Sequence, residues 1–164
     1  MSNYHRPRIP GATIFFTVAL EDRRADTLFR HAEALRVAVR RTMGERPFFV
    51  NAAVILPDHL HMIWTLPHGD RDFPNRWRVI NARFTQAVPD EGHARASHRA
   101  RRERGLWQRR YREHHVRSAE ELAALTRYCW MNPVKHGFVG NPFDWKLSSI
   151  HRDGVRGMDL TAAE

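Results

Sequence analysis

The sequence predicts an α+β fold in which helices pack on one face of an antiparallel β-sheet. Segments rich in β-branched and aromatic residues alternate with segments whose apolar residues recur at a helical period. Two of the strand-like segments are separated only by Pro57 and Asp58, which is the spacing of a tight hairpin turn. A length of 164 residues is enough to bury one core without disulfides or a structural metal. We therefore expect one domain over residues 1–164.

The first half of the chain contains three predicted strands and one predicted helix. The strands cover residues 12–20, 48–56 and 59–66, where apolar, β-branched and aromatic residues dominate. The helix covers residues 26–43, because apolar residues recur there every three to four positions and Gly44 follows. The second and third strands are expected to pair as an antiparallel hairpin.

The second half begins with a helix over residues 73–88, which carries its apolar residues on one face and is ended by Pro89. A polar, arginine-rich stretch follows over residues 90–105. A short strand is predicted over residues 107–111, and residues from about 146 onwards are expected to form a short C-terminal appendage.

The last predicted helix opens at Ser118, which forms a capping box with Glu121, and runs through Tyr128. Asn132 and Pro133 are expected to end it, because a proline disfavours helical angles in the preceding residue. The resulting order, β-α-β-β-α-β-α, is typical of a ferredoxin-like arrangement.

Composition places the chain among folded intracellular proteins. A hydrophobic fraction of 42% argues against disorder. Cys129 is the only cysteine, which excludes an intrachain disulfide and fits a reducing cytosol. Neither a secretion signal nor an apolar stretch of about 20 residues is present, so we expect a cytoplasmic protein without a membrane partner.

The charge balance indicates a polyanionic partner. The net charge is +9, and of the 27 basic residues only Lys135 and Lys146 are lysines. Arginine grips phosphate oxygens in pairs and stacks on bases, which favours nucleic acid over a membrane surface. A GC-rich genome is an alternative explanation for the arginine-to-lysine ratio, but it does not explain the net charge.

His59-Leu60-His61 is the first candidate for chemistry. In a strand, residues two apart point to the same face, so both imidazoles would stand side by side and could hold one divalent ion. With eleven histidines in the chain, the bare motif is weak, and two hydrogen-bonded core histidines are the alternative. Their position within an apolar strand favours ligation or hydrogen bonding over exposure.

Tyr128 and Asn132 are the second candidate. Four residues apart on a helix they share a face, so a phenol nucleophile could stand beside an amide oxygen that completes a metal site. This relation requires Asn132 to remain in the last helical turn despite Pro133. An ordinary half-buried aromatic and a helix-terminating asparagine are the alternatives.

The basic segment of residues 93–117 is the third candidate, because Trp107 and Tyr111 lie among arginines, as in surfaces that hold single-stranded nucleic acid. A solvated loop is the alternative. His114 and His115 are adjacent in the chain, so at most one of them can face any site. The candidate nucleic-acid contacts are Arg76, Arg83, Arg101, Arg102, Arg104, Trp107, Arg109, Arg110, Tyr111, Arg117 and Lys135.

Several stretches together resemble the REP-associated tyrosine transposases, relatives of the single-tyrosine HUH transposases. They are residues 47–51, 56–67 (LPDHLHMIWTLP), 107–117, where the match lies in 107–108 and 114–117, and 128–137 (YCWMNPVKHG). These stretches occur in the same order as in the family. Together with the opening strand they extend over nearly the whole chain. The stretch of residues 90–105 is longer and more basic than the family pattern.

The resemblance implies an HUH-nuclease core in which His59, His61 and Asn132 hold Mg²⁺ or Mn²⁺. It implies that Tyr128 attacks a DNA phosphodiester, forms a 5′-phosphotyrosine link and releases a 3′-hydroxyl. The implied substrate is a REP or BIME palindrome, a hairpin with a short single-stranded tag at its foot, and the implied active form is a monomer. A binding protein for structured nucleic acid whose chemistry has lapsed and a nuclease that uses water as nucleophile are the competing hypotheses.

Overall fold

The computed structural model describes residues 7–90 and 104–154. Their elements follow in chain order: β1 (Thr13–Ala19), α1 (Thr27–Arg30), α2 (Ala32–Glu45), β2 (Phe49–Ile55), β3 (His59–Thr65), α3 (Phe73–Ala87), β4 (Arg112–His115), α4 (Ala119–Lys135), a 3₁₀ turn (Pro142–Asp144) and α5 (Ile150–Asp153). No helix in these two ranges is long and apolar enough to cross a membrane.

The four strands form one antiparallel sheet in the order β2-β3-β1-β4. The antiparallel α+β fold is therefore confirmed, but the expectation that helices cover one face is wrong. α2 and α3 pack with Leu60, Met62 and Trp64 on one face, whereas α4 packs on the opposite face, where Ile63 lies. Because β3 is covered on both faces, nearly all of its side chains are buried.

One predicted helix and one predicted strand differ from the observed elements. The helix expected over residues 26–43 is two helices, because the backbone leaves helical angles at His31. The short strand lies at Arg112–His115 rather than at residues 107–111, where only Trp107 forms an isolated bridge, to Leu20. Trp107 and Tyr111 pack instead against the core that α2 and α3 cover.

α4 begins as predicted and ends later. Ser118 Oγ accepts a hydrogen bond from the Glu121 amide at 3.1 Å, which caps the first turn. Asn132 and Pro133 do not end the helix; both lie within it. The helix closes instead through Gly137, whose φ of 74° suits a residue without a side chain.

Two backbone hydrogen bonds complete this helix end. The Gly137 amide donates to the carbonyl of Val134 at 2.9 Å, and the Phe138 amide donates to that of Pro133 at 2.9 Å. This is the bonding pattern of a Schellman motif. It holds His136 and Phe138 close to the end of the sheet where β3 begins.

Of the residues expected to be an appendage, 146–154 lie within the described ranges, and they pack against the sheet edge and the core. The Ile55 amide donates to the carbonyl of Leu147 at 2.9 Å and the Ser149 amide donates to that of Ala53 at 2.8 Å, so this segment covers the free edge of β2. Trp145 and Ile150 are buried in the core beneath α4.

Candidate metal and tyrosine site

His59 and His61 project from β3 on the face that α4 covers. Both side chains are buried, and their ring centroids are 5.1 Å apart with an angle of 85° between the planes. Their common face follows from the two-residue repeat of a strand, as the sequence predicts.

A carboxylate fixes the orientation of His59. Its Nδ1 lies 2.7 Å from Asp58 Oδ1, and Arg23 Nε donates to Asp58 Oδ2 at 2.5 Å. Burial opposes ionisation of Asp58, but hydrogen bonds from His59 and Arg23 outweigh it and hold the pKa of that carboxyl below its ordinary value. An ionised carboxylate only accepts, and its contact with Nδ1 is much shorter than the 3.3 Å contact of Arg23 Nη2 with the same nitrogen, so His59 Nδ1 carries the proton and Nε2 presents its lone pair.

His61 is oriented by β1. Its Nδ1 lies 2.9 Å from Thr17 Oγ1, directly across the strand pair, and its ring stacks on Phe15 at 5.3 Å. Burial, together with the neighbouring His59 and His136, lowers the pKa of His61 to about 3. Burial likewise lowers the pKa of His59, although Asp58 partly opposes it. Both imidazoles are therefore neutral at neutral pH, which is the form that binds a metal.

Asn132 supplies an amide oxygen that lacks a partner. Its Nδ2 donates to the carbonyl of Tyr128 at 3.3 Å, one helical turn back. Its Oδ1 is buried and completes no hydrogen bond with any residue of 7–90 or 104–154, although the amide lies close enough to His61 to oppose the lowering of its pKa. A buried acceptor without a donor is costly, and a bound cation would satisfy it.

Tyr128 stands at the rim of this group. Its ring centroid is 5.3 Å from that of His61 and 5.9 Å from that of Phe15, and the side chain is 39% exposed. Lys135, two helical turns further on, places Nζ 5.2 Å from the centre of the Tyr128 ring. A phenol that is held at its ring and partly exposed can reach a substrate phosphate.

These residues fit a divalent cation held by two imidazole nitrogens and one amide oxygen. Within the described ranges, no group of three or more His, Cys, Asp or Glu side chains is placed to hold a metal ion. The donor set therefore depends on Asn132, whose unpartnered oxygen is the observation that favours it.

Two arginines predicted to contact nucleic acid have other partners. Arg76 is 3% exposed, and its guanidinium donates to Asp70 Oδ2 at 2.6 Å and to the carbonyl of Pro47 at 2.8 Å. Arg83 donates to both carboxylate oxygens of Glu45, on the side of the sheet away from Tyr128. Arg76 thus stabilises the fold, which corrects the expectation for it, and Arg83 is committed to an ion pair between α2 and α3.

The aromatic residues of the basic segment also lie on the side of α3. Trp107 Nε1 donates to Thr85 Oγ1 at 3.1 Å, and the Tyr111 ring packs 5.9 Å from that of Phe16. Arg104 donates to the backbone carbonyls of Thr85 and Val88 at the end of α3. These three residues pack or bond on the side of α3, and they do not line the histidine–tyrosine site.

The other predicted contacts remain exposed or fall outside the described ranges. Arg109, Arg110, Arg117 and Lys135 are exposed. Arg101 and Arg102 lie outside residues 7–90 and 104–154. His114, on the face of β4 that points towards α4, pairs with Glu121 at 2.7 Å.

Sequence reasoning missed the residues that orient the histidines. Asp58 directly precedes His59, which is a usable signal, although Pro57-Asp58 by itself indicates only a turn. Thr17, Phe15 and Arg23 come from distant segments, and they carry no local pattern that points to the site.

Comparison with known proteins identifies relatives of this chain. No family model matches the chain. A REP-associated tyrosine transposase of Escherichia coli strain K12 is 42% identical over 158 residues, which span 96% of this chain and 88% of the relative. A Haemophilus influenzae protein, named as a candidate member of the same family, is 40% identical over 154 residues, spanning 93% of this chain and 88% of its own length.

A solved structure shows the same fold. It is described as a REP-associated tyrosine transposase bound to a REP hairpin, and it is 41% identical, with a TM-score of 0.83. The match covers 100% of this chain and 92% of the other. With this identity over nearly the full length of each relative, the chain belongs to the REP-associated tyrosine transposase family.

Proposed function

We propose that this protein cleaves and rejoins single-stranded or hairpin DNA of the REP or BIME type through a 5′-phosphotyrosine intermediate. One observation carries the proposal. An exposed phenol, two buried neutral imidazoles and a buried amide oxygen without a partner converge on one face of the sheet.

In the proposed step, the Tyr128 oxygen attacks the scissile phosphorus and the bond from phosphorus to the 3′ oxygen breaks. The phenolic proton passes to water or a base, and the departing oxygen takes up a proton to become a 3′-hydroxyl. Rejoining is the reverse, with a 3′-hydroxyl attacking the phosphotyrosine. Because the pKa of an ordinary tyrosine is about 10, the attack needs assistance at neutral pH.

A divalent cation, Mg²⁺ or Mn²⁺, held by His59, His61 and Asn132 would polarise the phosphate and stabilise the negative charge on the 3′ oxygen. The donor types alone do not select between these ions. Asp58 and Thr17 keep the imidazoles oriented, and the contacts of Lys135 and Phe15 with the Tyr128 ring keep the nucleophile beside them.

The substrate class follows from the relative at 41% identity, which is bound to a REP hairpin. A net charge of +9 supports a DNA partner. A cytoplasmic location, where chromosomal DNA is accessible, and a monomeric active form belong to the same proposal.

Cleavage of an end-labelled hairpin with single-stranded flanks, resolved on a denaturing gel, tests the proposal. We expect cleavage with Mn²⁺ or Mg²⁺ but not with EDTA, and none by Tyr128→Phe. This variant should still bind the hairpin, because phenylalanine preserves the ring contacts with Phe15 and Lys135.

Two results would replace the proposal with another function. Cleavage by Tyr128→Phe at the wild-type rate would indicate water as the nucleophile. Binding that is unchanged by EDTA, without cleavage of any hairpin that the protein binds tightly, would indicate a binding module whose chemistry has lapsed.

A further inference from the structure

A row of aromatic rings leads away from the metal and tyrosine site along the surface. The ring centroids of His59 and His136 are 5.2 Å apart, and His136 lies parallel to Phe138 at 6.0 Å. Phe138 stacks on Trp145 at 5.3 Å with an angle of 25° between the planes. Phe29 packs on the same indole at 5.4 Å.

The outer rings of this row are exposed yet held in place. Phe138 is 46% exposed and Phe29 is 48% exposed. Trp145 beneath them is buried, and its Nε1 donates to the carbonyl of Ile55 at 2.9 Å. Single exposed apolar side chains are common, but here two exposed phenylalanine rings are each packed on the same buried indole.

One cation lies at the His59 end of the row, and a second is the neighbour of Trp145 in the sequence. Arg23 is half-exposed and lies beside His59, where it is fixed by Asp58. Lys146 is exposed and directly follows Trp145 in the chain. Aromatic faces with cations beside them are the combination that holds unpaired nucleotides, because rings stack on bases while cations contact the backbone phosphates.

Continuity with the catalytic residues identifies which part of the DNA would lie here. A strand entering the site at Tyr128 and His59 would pass over His136 and then over Phe138 and Phe29. Base pairs inside a hairpin stem are stacked on both sides, so only the terminal pair has a face free for a phenylalanine. The row therefore suits the unpaired nucleotides beside the stem and not the interior of the stem.

We propose that Phe138 and Phe29, supported by Trp145, form an aromatic platform on which the single-stranded flank of the hairpin stacks. This inference rests on the proposed function, since it takes the DNA substrate from there. It adds the surface that distinguishes a flanked hairpin from a bare one. Stacking tolerates any base, so the platform holds the flank without by itself reading its sequence.

The test compares Phe138→Leu and Phe29→Leu, which keep apolar volume but remove the rings, with Phe138→Trp, which keeps a ring. Phe49→Leu is the matched control, because Phe49 is 62% exposed but pairs with Thr65 at the end of β3 away from His59. The probes are a fluorescent hairpin with a mixed-sequence single-stranded flank and the same hairpin without it. Anisotropy titrations give the affinities, and thermal melts confirm that each variant is folded.

We expect each ring-removing substitution to weaken binding of the flanked hairpin about tenfold and to leave binding of the bare hairpin unchanged. Phe138→Trp and Phe49→Leu should bind both probes as the wild type does. Equal losses on both probes, or unchanged affinity for the flanked probe, would overturn the platform. Loss of a wild-type dimer in sedimentation, with DNA affinity preserved, would assign the surface to self-association instead.

The outcome is separable from that of the proposed function. If the wild type binds the flanked probe through the platform but never attaches to DNA through Tyr128, the inference stands and the chemistry fails. If the wild type attaches to DNA and the platform variants bind like it, the chemistry stands and the inference fails.

Discussion

At the scale of single residues, the proposed metal site depends on groups that determine which nitrogen of each imidazole would face a cation. Asp58 accepts from His59 Nδ1, and Thr17 contacts His61 Nδ1. With Nδ1 engaged in each ring, Nε2 is the nitrogen left for a cation. Such outer contacts set both the tautomer and the basicity of a ligand.

Asp58→Asn tests this dependence. An amide can donate to His59 Nδ1 and so shift the ring proton to Nε2, which removes the lone pair that would bind the metal. We expect the affinity for Mn²⁺, measured by isothermal titration calorimetry, to fall about 10- to 100-fold. Asp22→Asn is the control, since Asp22 bonds to the exposed Arg24; equal affinities in all three proteins would contradict the role of Asp58.

Asn132→Leu tests whether the unpartnered amide oxygen serves the cation. Leucine removes a buried acceptor that lacks a donor, so the melting temperature without metal should stay the same or rise. The rise in melting temperature that Mn²⁺ produces in the wild type should disappear. Asn81 in α3 also has a buried oxygen without a partner, so Asn81→Leu is the control and should keep the effect of Mn²⁺. A full response to Mn²⁺ in Asn132→Leu would remove Asn132 from the ligand set.

The pairing of the histidines was predictable because a strand repeats every two residues, whatever its partners. The contacts of Thr17 and Phe15 were not predictable, because they depend on the register between β1 and β3, which pairs Thr17 with His61. Nothing in the local sequence of β1 specifies that register.

At the scale of secondary-structure elements, the continuity of α4 is decisive. The helix persists through Pro133 to Lys135, so Tyr128, Asn132 and Lys135 stay in helical register. Sequence reasoning took the pair Asn132-Pro133 as a stop signal, which is the usual effect of proline. Here the packing of Cys129, Trp130 and Asn132 against the sheet holds the last turn in place.

The junction of α3 with the strand before it depends on a buried ion pair. Arg76 binds both carboxylate oxygens of Asp70 and also contacts backbone carbonyls near the start of β2. Asp70→Asn would leave a buried guanidinium without its countercharge. We expect a loss of about 2–3 kcal/mol in the free energy of unfolding at pH 7, because the Arg76 side chain is buried whereas the Asp70 side chain is partly exposed.

This loss should depend on pH. The hydrogen bonds from Arg76 hold the pKa of Asp70 below its ordinary value. The stabilisation is therefore fully present above the carboxyl pKa of the unfolded chain, about 3.9, and is lost as the pH falls below it. Urea melts should show a large difference between wild type and Asp70→Asn at pH 7 and a smaller one near pH 3. Asp26→Asn, at the exposed pair with Arg30, should cost less than about 0.5 kcal/mol, and an equal cost would contradict the account.

At the scale of the whole molecule, the positive charge and the placement of the site both favour a polyanionic substrate. The net charge is +9, and the exposed arginines Arg109, Arg110 and Arg117 remain candidates for phosphate contacts. Binding of a hairpin should fall steeply with salt, by roughly a thousandfold between 50 and 200 mM if about six phosphates are contacted. Arg110→Gln should reduce the slope of log affinity against log salt by about one if it contacts a phosphate. A flat response in the wild type would contradict an electrostatic DNA surface.

Charge and composition were visible in the sequence, but the side of the sheet on which each residue lies was not. Trp107 and Tyr111 lie among arginines in the sequence, a pattern that favours a nucleic-acid surface. In the fold, however, they pack with α3 on the face opposite Tyr128. The exposed rings of Phe29 and Phe138 meet one indole because a Schellman turn and the segment around Trp145 bring distant residues together. Local patterns specify elements, whereas such convergence depends on the packing of both faces of the sheet.

The central claim is that Tyr128 becomes covalently attached to DNA, and mass spectrometry of the trapped complex tests it most directly. The protein would be incubated with a flanked hairpin and Mn²⁺, the DNA digested with nuclease, and the protein cleaved into peptides. We predict a nucleotide phosphate on the peptide that contains Tyr128, and no such adduct in Tyr128→Phe or with EDTA. Cleaved DNA with that peptide unmodified, or an adduct on another residue, would contradict the account.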